Sequence, residues 1–235
     1  MTLEEHLARI RAKVAAAAEE VGRNPEEITL EAATKTQSAL TIRAAIAAGI
    51  TVCGENRVQE LTAHLDEFAY DGAAVHFIGH LQTNKVRMVV GRVELIESVD
   101  SLRLLEAIEA RAAQLGLVQD ILVEVNIGRE AQKGGVAPEE VLPLAQAAAA
   151  LPHVRLRGLM AVPPPAGEIG GNRNFFAQIR QLFVDIRSAM GDNEANMNCL
   201  SMGMSGDYPD AIREGATIVR IGTAIYGARD YSKKA

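Results

Sequence analysis

The chain has 235 residues, 48% hydrophobic and 23% charged, with a formal net charge of -6 and no Trp. With only five Phe and four Tyr, it offers neither a global attraction for polyanions nor the aromatic platform on which single strands stack, which excludes nucleic acid as a main partner. No run reaches the ~20 apolar residues of a membrane span, and the charged N-terminus lacks the apolar core of a signal peptide, so a cytoplasmic protein with no membrane partner is expected.

Leu3, Leu7, Ile10, Val14 and Ala17 recur at helical spacing behind a Thr2–Glu5 capping box, which predicts an amphipathic first helix ended by Gly22 to Pro25. Residues 28–34 then alternate. Ile28, Leu30 and Ala32 face one side, and Thr29, Glu31, Ala33 and Lys35 the other, as in a strand with one apolar and one mixed face. Ser38 caps a helix over 39–48 and Gly49 closes it. The cycle repeats. Further strands are predicted at 51–56, 75–80, 93–99, 121–126, 154–162, 197–202 and 217–221. Helices are predicted at 58–69, 84–90, 102–115, 138–150, 174–190 and 208–214. Longer loops, 128–135 and 163–171, follow the fifth and sixth strands. About eight strands alternating with helices in a chain of this length predict an α/β fold, a single (β/α)8 TIM-type barrel with an extra N-terminal helix, spanning 1–235 as one domain. A doubly wound open sheet is the runner-up, but no G-x-G-x-x-G follows any predicted strand.

Active sites of such barrels sit at the carboxyl ends of the strands. Those ends carry Lys35, Glu55 and Asn56, His80, Ser98 and Asp100, Asn126, Met160, then Ser201, Gly203 and Ser205, and last Arg220, Gly222 and Thr223. The Ser201–Asp207 and Arg220–Thr223 loops follow strands seven and eight, a frequent phosphate site; small residues let backbone N–H groups approach an anion and hydroxyls add donors. The same glycines also serve as ordinary turns. Lys35 is either a snorkelling surface lysine or, on the mixed face near the mouth, a partly desolvated amine able to attack a carbonyl. Lysine and phosphate cradle together suit a phosphorylated aldehyde, either pyridoxal phosphate or the sugar phosphate of an aldolase. Arg220 would keep a pyridine nitrogen unprotonated and so weaken the ring as an electron sink; a phosphate or carboxylate partner suits it equally. Asn56 is a ligand for the ring's phenolic oxygen or a helix N-cap. His80 packs on the ring or is a turn histidine. Glu31 and Glu124 are read as interior charges paired with Lys or Arg and carry no assigned chemistry. Cys53 and Cys199 are far apart in apolar runs, fit no metal spacing, and read as buried reduced thiols.

Several blocks occur together in order: Thr34-Lys-Thr36, Gly54-Glu-Asn-Arg-Val-Gln-Glu60, His76-Phe-Ile-Gly-His-Leu-Gln-Thr-Asn-Lys85, Ser98-Val-Asp-Ser101, Gly158-Leu-Met160, Ser201-Met-Gly-Met-Ser205 with Asp207, and Val219-Arg-Ile-Gly-Thr-Ala-Ile-Tyr-Gly227. Over nearly the whole chain they resemble the pyridoxal-phosphate homeostasis protein family, relatives of the alanine racemase N-terminal barrel. The resemblance implies a fold-type III barrel holding pyridoxal 5′-phosphate, with Lys35 as the Schiff-base lysine. It implies Ser205, Gly222 and Thr223 at the phosphate, Arg220 at the pyridine nitrogen, and Asn56 and His80 near the ring. Ser201 and Met202, in the same block, are counted with the cofactor-binding residues. It also implies a role in vitamin B6 homeostasis and supply, and so in amino-acid/keto-acid balance, with other B6 vitamers and apo-enzymes as partners. One departure matters. The chain stops eight residues after Gly227, where alanine racemases continue into a β-domain that supplies a tyrosine base. Two-base racemisation needs a proton-transfer group on each face, and Lys35 is the one secured. The expectation is a monomeric carrier or regulator with no defined catalytic activity, the alternatives being a low-activity amino-acid racemase and a Schiff-base aldolase. Lys233 and Lys234 are read as a solvated terminus.

Overall fold

In the computed structural model, which describes residues 2–165 and 170–227, the alternation of β1 produces a strand at Thr29–Ala33 whose apolar side meets helices and whose mixed side faces inward. Seven more follow: β2 Val52–Glu55, β3 Ala74–Phe77, β4 Leu95–Val99, β5 Gln119–Val125, β6 Val154–Ala161, β7 Cys199–Ser201 and β8 Ile218–Ile221. Each pairs in parallel with its sequence neighbour, and β8 returns to β1 to close the barrel. The expected topology is therefore the observed one.

The helices are α1 Leu3–Glu19, α2 Ala39–Ala47, α3 Val58–Asp66, α4 Leu102–Leu115, α5 Val141–Ala149, α6 Arg173–Ala189, α7 Tyr208–Arg213 and α8 Thr223–Tyr226. Local chemistry sets their ends. Thr2 and Glu5 form the capping box, Ser38 and Ser101 accept from Thr41 and Leu104 N–H, and Gly116 closes α4 in the left-handed region. The predicted helix over 84–90 is instead a 3₁₀ segment, Thr83–Met88. Another 3₁₀ segment, Gly191–Asn196, leads into β7, which is shorter than the predicted 197–202.

Most of the core lies between the barrel and its helices. Inside the barrel only a small apolar layer forms, of Leu95, Leu122, Met160 and Ile218. The remaining interior is polar. α1 buries Leu7, Ile10, Val14, Ala17 and Ala18 and packs on α7 and α8. His6 Nδ1 lies 2.8 Å from the Ile225 carbonyl. The extra N-terminal helix thus buttresses the short helix that follows β8, where the predicted phosphate loop sits.

Candidate functional site

β1 ends at Ala33, two residues before Lys35. Thr34 turns its hydroxyl to the Gly54 carbonyl (3.2 Å) and to the Glu55 carboxylate (2.6 Å). Thr36 adopts φ 66°, a left-handed conformation unusual for a β-branched residue. Its N–H donates to Glu60 Oε2 at 2.8 Å. Strain of this kind collects at functional sites, and here it fixes the turn immediately past Lys35. Lys35, half-buried, lines a mouth cavity of about 460 Å³ together with Asn56, Ser205, Arg220, Gly222, Thr223 and Tyr226, a size suited to a small ligand. A larger groove of about 750 Å³ lies among Tyr70, Arg92, Glu94, Gln119 and Arg155 at the opposite end. None of the predicted residues reaches it, and that face of a barrel serves stability rather than chemistry.

The loops after β7 and β8 are tied together. Asp207 accepts the Met204 N–H and the Asn172 side-chain amide, each at 2.7 Å. Gly203 has φ 91°, and a Cβ there would stand 2.5 Å from Ala211 Cβ, so no larger residue fits. Ser205 Oγ accepts from the N–H groups of Gly222 and Ala224 at 3.3 and 3.2 Å. The N–H groups of Ser205, Gly206 and Thr223 donate to nothing among the described residues. Three unpaired donors and two hydroxyls at one end of the cavity make a cradle for an anion.

Beneath the cavity runs a chain of buried polar groups. Arg220 Nη1 donates to Ser201 Oγ, and Nη2 donates to the Ala161 carbonyl at 2.9 Å. Ser201 Oγ donates to Glu97 Oε2 at 2.6 Å, which also lies 3.8 Å from Arg220 Nη1. Glu97 Oε1 and Glu31 Oε2 each lie 2.9 Å from His76 Nδ1. Burial and the field of Glu97 push the Glu31 carboxyl up. Burial would raise Glu97 too, but the His76 hydrogen bond and the fields of His76 and Arg220 bring it down. Burial opposes the charge on His76, yet the two carboxylates outweigh it and hold the imidazole protonated, its pKa raised to about 10. The three donor atoms of Glu31, His76 and Glu97 lie within 4.8 Å of one another, close enough for a small cation. Both carboxylates stand at hydrogen-bond distance from His76, and Arg220 sets a positive charge beside Glu97.

Six predicted residues, Lys35, Asn56, Ser205, Arg220, Gly222 and Thr223, therefore share one cavity. Three do not. Ser201 lies below it in the polar chain, and Met202 is buried in the core. His80 stands on the rim with 64% of its side chain exposed, 3.4 Å from Asp100. β3 ends at Phe77, and Ile78 and Gly79 take the place expected for His80. Asn56 is not the cap of α3; Arg57 occupies that position, and Asn56 Oδ1 is buried without a partner among the described residues. Glu31 pairs with His76 rather than with Lys or Arg. The Glu124 carboxyl makes no hydrogen bond among the described residues, and burial, with the charge of Asp100, pushes its pKa up to about 7. Tyr226, His76 and Glu97 were not anticipated. A charged residue at an inward position of a largely apolar strand, as Glu97 is in Val93–Val99, was the available signal. Cys53 is a buried free thiol and Cys199 a partly buried one. Lys133 ties the 128–135 loop to the Pro163 and Val162 carbonyls at 3.0 and 3.4 Å. Lys233, Lys234 and residues 166–169 of the 163–171 loop lie outside the described residues.

Fold and site define a class: a (β/α)8 barrel whose mouth sets a lysine against an anion cradle, with an arginine lining the same cavity. The model of the alanine racemase N-terminal domain family matches residues 6–230. The chain is 41% identical over 235 residues to the pyridoxal phosphate homeostasis protein of Pseudomonas aeruginosa, covering 100% of this chain and 99% of that one. It is 42% identical over 236 residues to the Escherichia coli K12 protein of the same name, covering 99% of each. Among solved structures it matches PipY of Synechococcus elongatus with pyridoxal phosphate bound, at a TM-score of 0.83 and 32% identity, covering 96% of this chain and 100% of that one. The chain belongs to the pyridoxal phosphate homeostasis proteins within the alanine racemase N-terminal domain family.

Proposed function

We propose that this protein binds pyridoxal 5′-phosphate through Lys35 and acts as its carrier in intracellular vitamin B6 homeostasis, supplying apo-enzymes and so influencing amino-acid/keto-acid balance. The observation that carries the reading is the placement of Lys35 in one cavity with the Ser205, Gly206 and Thr223 donors and the Arg220 guanidinium. The cavity suits this ligand in a further way. Asn56 Oδ1 and Tyr226 Oη are buried polar atoms without partners among the described residues, and buried polar groups are ordinarily satisfied. A ligand with a phosphate, a phenolic oxygen and a ring nitrogen supplies such partners.

When bound, pyridoxal phosphate supplies an aldehyde for a lysine amine and an electron-withdrawing ring. Lys35 would hold the aldehyde as a Schiff base. Ser205, Gly206 and Thr223 would hold the phosphate by N–H and hydroxyl donors. Arg220 would donate to the ring nitrogen and keep it unprotonated, since a guanidinium does not give up its proton. Tyr226 and Lys35 are the cavity's groups able to transfer a proton among the described lining residues. Burial pushes the Tyr226 phenol above its ordinary pKa, so it stays protonated near neutral pH and offers no phenolate to act as a base. That favours a carrier over a two-base racemase. The same reading takes the protein as a cytoplasmic monomer that also meets other B6 vitamers; among the described residues no helix is long and apolar enough to cross a membrane.

An absorbance spectrum, followed by borohydride reduction and peptide mapping, tests the proposal. A near-visible band fixed by reduction onto Lys35, and absent from Lys35→Ala, is expected. A colourless protein left unmodified after incubation with added cofactor overturns it and points to a sugar phosphate. Exchange of an amino acid's α-hydrogen with solvent deuterium, faster than with free cofactor, would favour the racemase.

A further inference from the structure

The buried chain under the cavity joins five strands. Glu31, His76, Glu97, Ser201 and Arg220 come from β1, β3, β4, β7 and β8, and none is more than 8% exposed. It also spans the barrel from end to end. Arg220 lines the mouth cavity, whereas His76 borders a hollow of about 320 Å³ shared with Glu94, Asp120, Arg157, Asn198 and Cys199. Both carboxylate contacts of His76 use Nδ1.

Such a layer is costly. Desolvating each ion costs several kcal/mol, and well-packed apolar residues are often as stable or more so. The barrel does use an apolar filling where Leu95, Leu122, Met160 and Ile218 meet. The polar layer therefore calls for a role beyond filling space. Its contacts converge on one side chain. Arg220 is 5% exposed, and a guanidinium at that depth needs a counter-charge and an acceptor for each arm. Glu97 is its ion-pair partner at 3.8 Å. Ser201 stands between them, accepting from Arg220 and donating to Glu97. His76 bridges Glu97 to Glu31. Glu97 is the carboxylate nearest Arg220, and the hydroxyl of Ser201 joins the two.

We propose that Glu97 and His76, acting through Ser201, are positioning residues for Arg220: they hold its guanidinium in one orientation at the cavity, aimed at the ring nitrogen of the bound cofactor. The cofactor half of this rests on the mouth cavity being a pyridoxal phosphate site. The orientation half concerns this chain's own residues and is measurable without any ligand.

Ser201→Ala, Ser201→Thr and Glu97→Gln are compared with wild type in two measurements. The first, without cofactor, follows the side-chain ¹⁵N signals of Arg220. Resolved, slowly exchanging signals are expected for wild type and Ser201→Thr, and signals lost to averaging for Ser201→Ala and Glu97→Gln. The second adds pyridoxal phosphate. Its affinity is expected to fall roughly tenfold in Ser201→Ala and Glu97→Gln, as for a lost charge-assisted hydrogen bond. The bound-cofactor band should shift, Ser201→Thr should restore it, and borohydride should still fix the cofactor on Lys35. Unchanged Arg220 signals and an unchanged band in Ser201→Ala overturn the proposal, and that small substitution decides the matter even if Glu97→Gln does not fold. A stoichiometric metal ion whose chelation abolishes the Arg220 signals would also overturn it. Failure of the site reading looks different: wild type and variants alike show no band, while the Arg220 signals still separate the variants.

Discussion

Glu31 and Glu55 stand on neighbouring strands, each with 0% exposure, and they are accommodated in opposite ways. Glu55 faces outward. Its Oε1 takes a hydrogen bond from Thr34 (2.6 Å) and from the Tyr70 hydroxyl (2.9 Å), with His64 Nδ1 at 3.1 Å. Helix α3 and the segment after it supply His64 and Tyr70, the segment just past β1 supplies Thr34, and Oε2 has no partner among the described residues. Glu31 faces inward, where only other strands can reach it. Its Oε2 meets His76, shared with Glu97, and its Oε1 has no partner among the described residues. The outer carboxylate thus stitches α3 to the turn that carries Lys35. The inner one belongs to a charged chain that ends at Arg220. Outside the barrel a buried acid secures the frame; inside, it sets charge under a ligand cavity.

The sharpest break of the outer half is Glu55→Ala. It removes the acceptor shared by Tyr70, His64 and Thr34 and leaves a void, so urea denaturation should show a loss of about 3–5 kcal/mol. Borohydride labelling at Lys35 should fall with it, because the Thr34 hydroxyl loses its shorter contact and keeps only the one to the Gly54 carbonyl. A loss below about 1 kcal/mol would show that water replaces the carboxylate.

Gly54→Ala breaks the inner half with less effect. A Cβ at Gly54 would lie 2.0 Å from Glu31 Oε1, and overpacking of this kind costs about 1–3 kcal/mol. Shortening the acid in the same chain, Glu31→Asp, should recover part of the loss. The two changes should therefore be non-additive in a double-mutant cycle, and additive losses would disprove the contact.

A third buried carboxyl sharpens the contrast, with the smallest effect. Glu124 has neither the hydroxyl partners of Glu55 nor the imidazolium of Glu31, and its pKa rises from 4.5 to about 7. Between those values the unfolded chain releases the proton and the folded protein keeps it. Stability contributed at this site therefore falls as pH rises from 4.5 to about 7. Glu124→Gln should match wild type near pH ~4.5 and exceed it by about 1–2 kcal/mol at pH ~8 in denaturant titrations, allowing for the solvent that reaches the group. Equal stability of the two proteins at both pH values would refute the assignment.

Much of this was legible in the residues. The strand alternation around Lys35, the caps at Thr2, Ser38 and Ser101, and the Ser/Gly loops after β7 and β8 are local signals, and each appears where expected. His80 and Met202 lie outside the cavity, the first because strand ends decide which side chain faces the mouth, the second because it packs into the core. β3 stops at Phe77, so Ile78 and Gly79 reach the cavity and His80 is left on the rim. Tyr226 went unnoticed because nothing in Ala224-Ile-Tyr226 marks a short helix folding back over the barrel.

From sequence alone came the eightfold alternation of strand and helix, and with it the closed barrel and the end at which most of the predicted residues gather. Periodicity and capping depend on residues a few positions apart, so they survive without a structure. Partnership does not. That Glu31 meets His76, that Glu97 faces Arg220, and that Gly54 makes room for a carboxylate depend on residues as far apart in the chain as Glu97 and Arg220. Only closure of the barrel, which removes them from water together, decides which charges must pair.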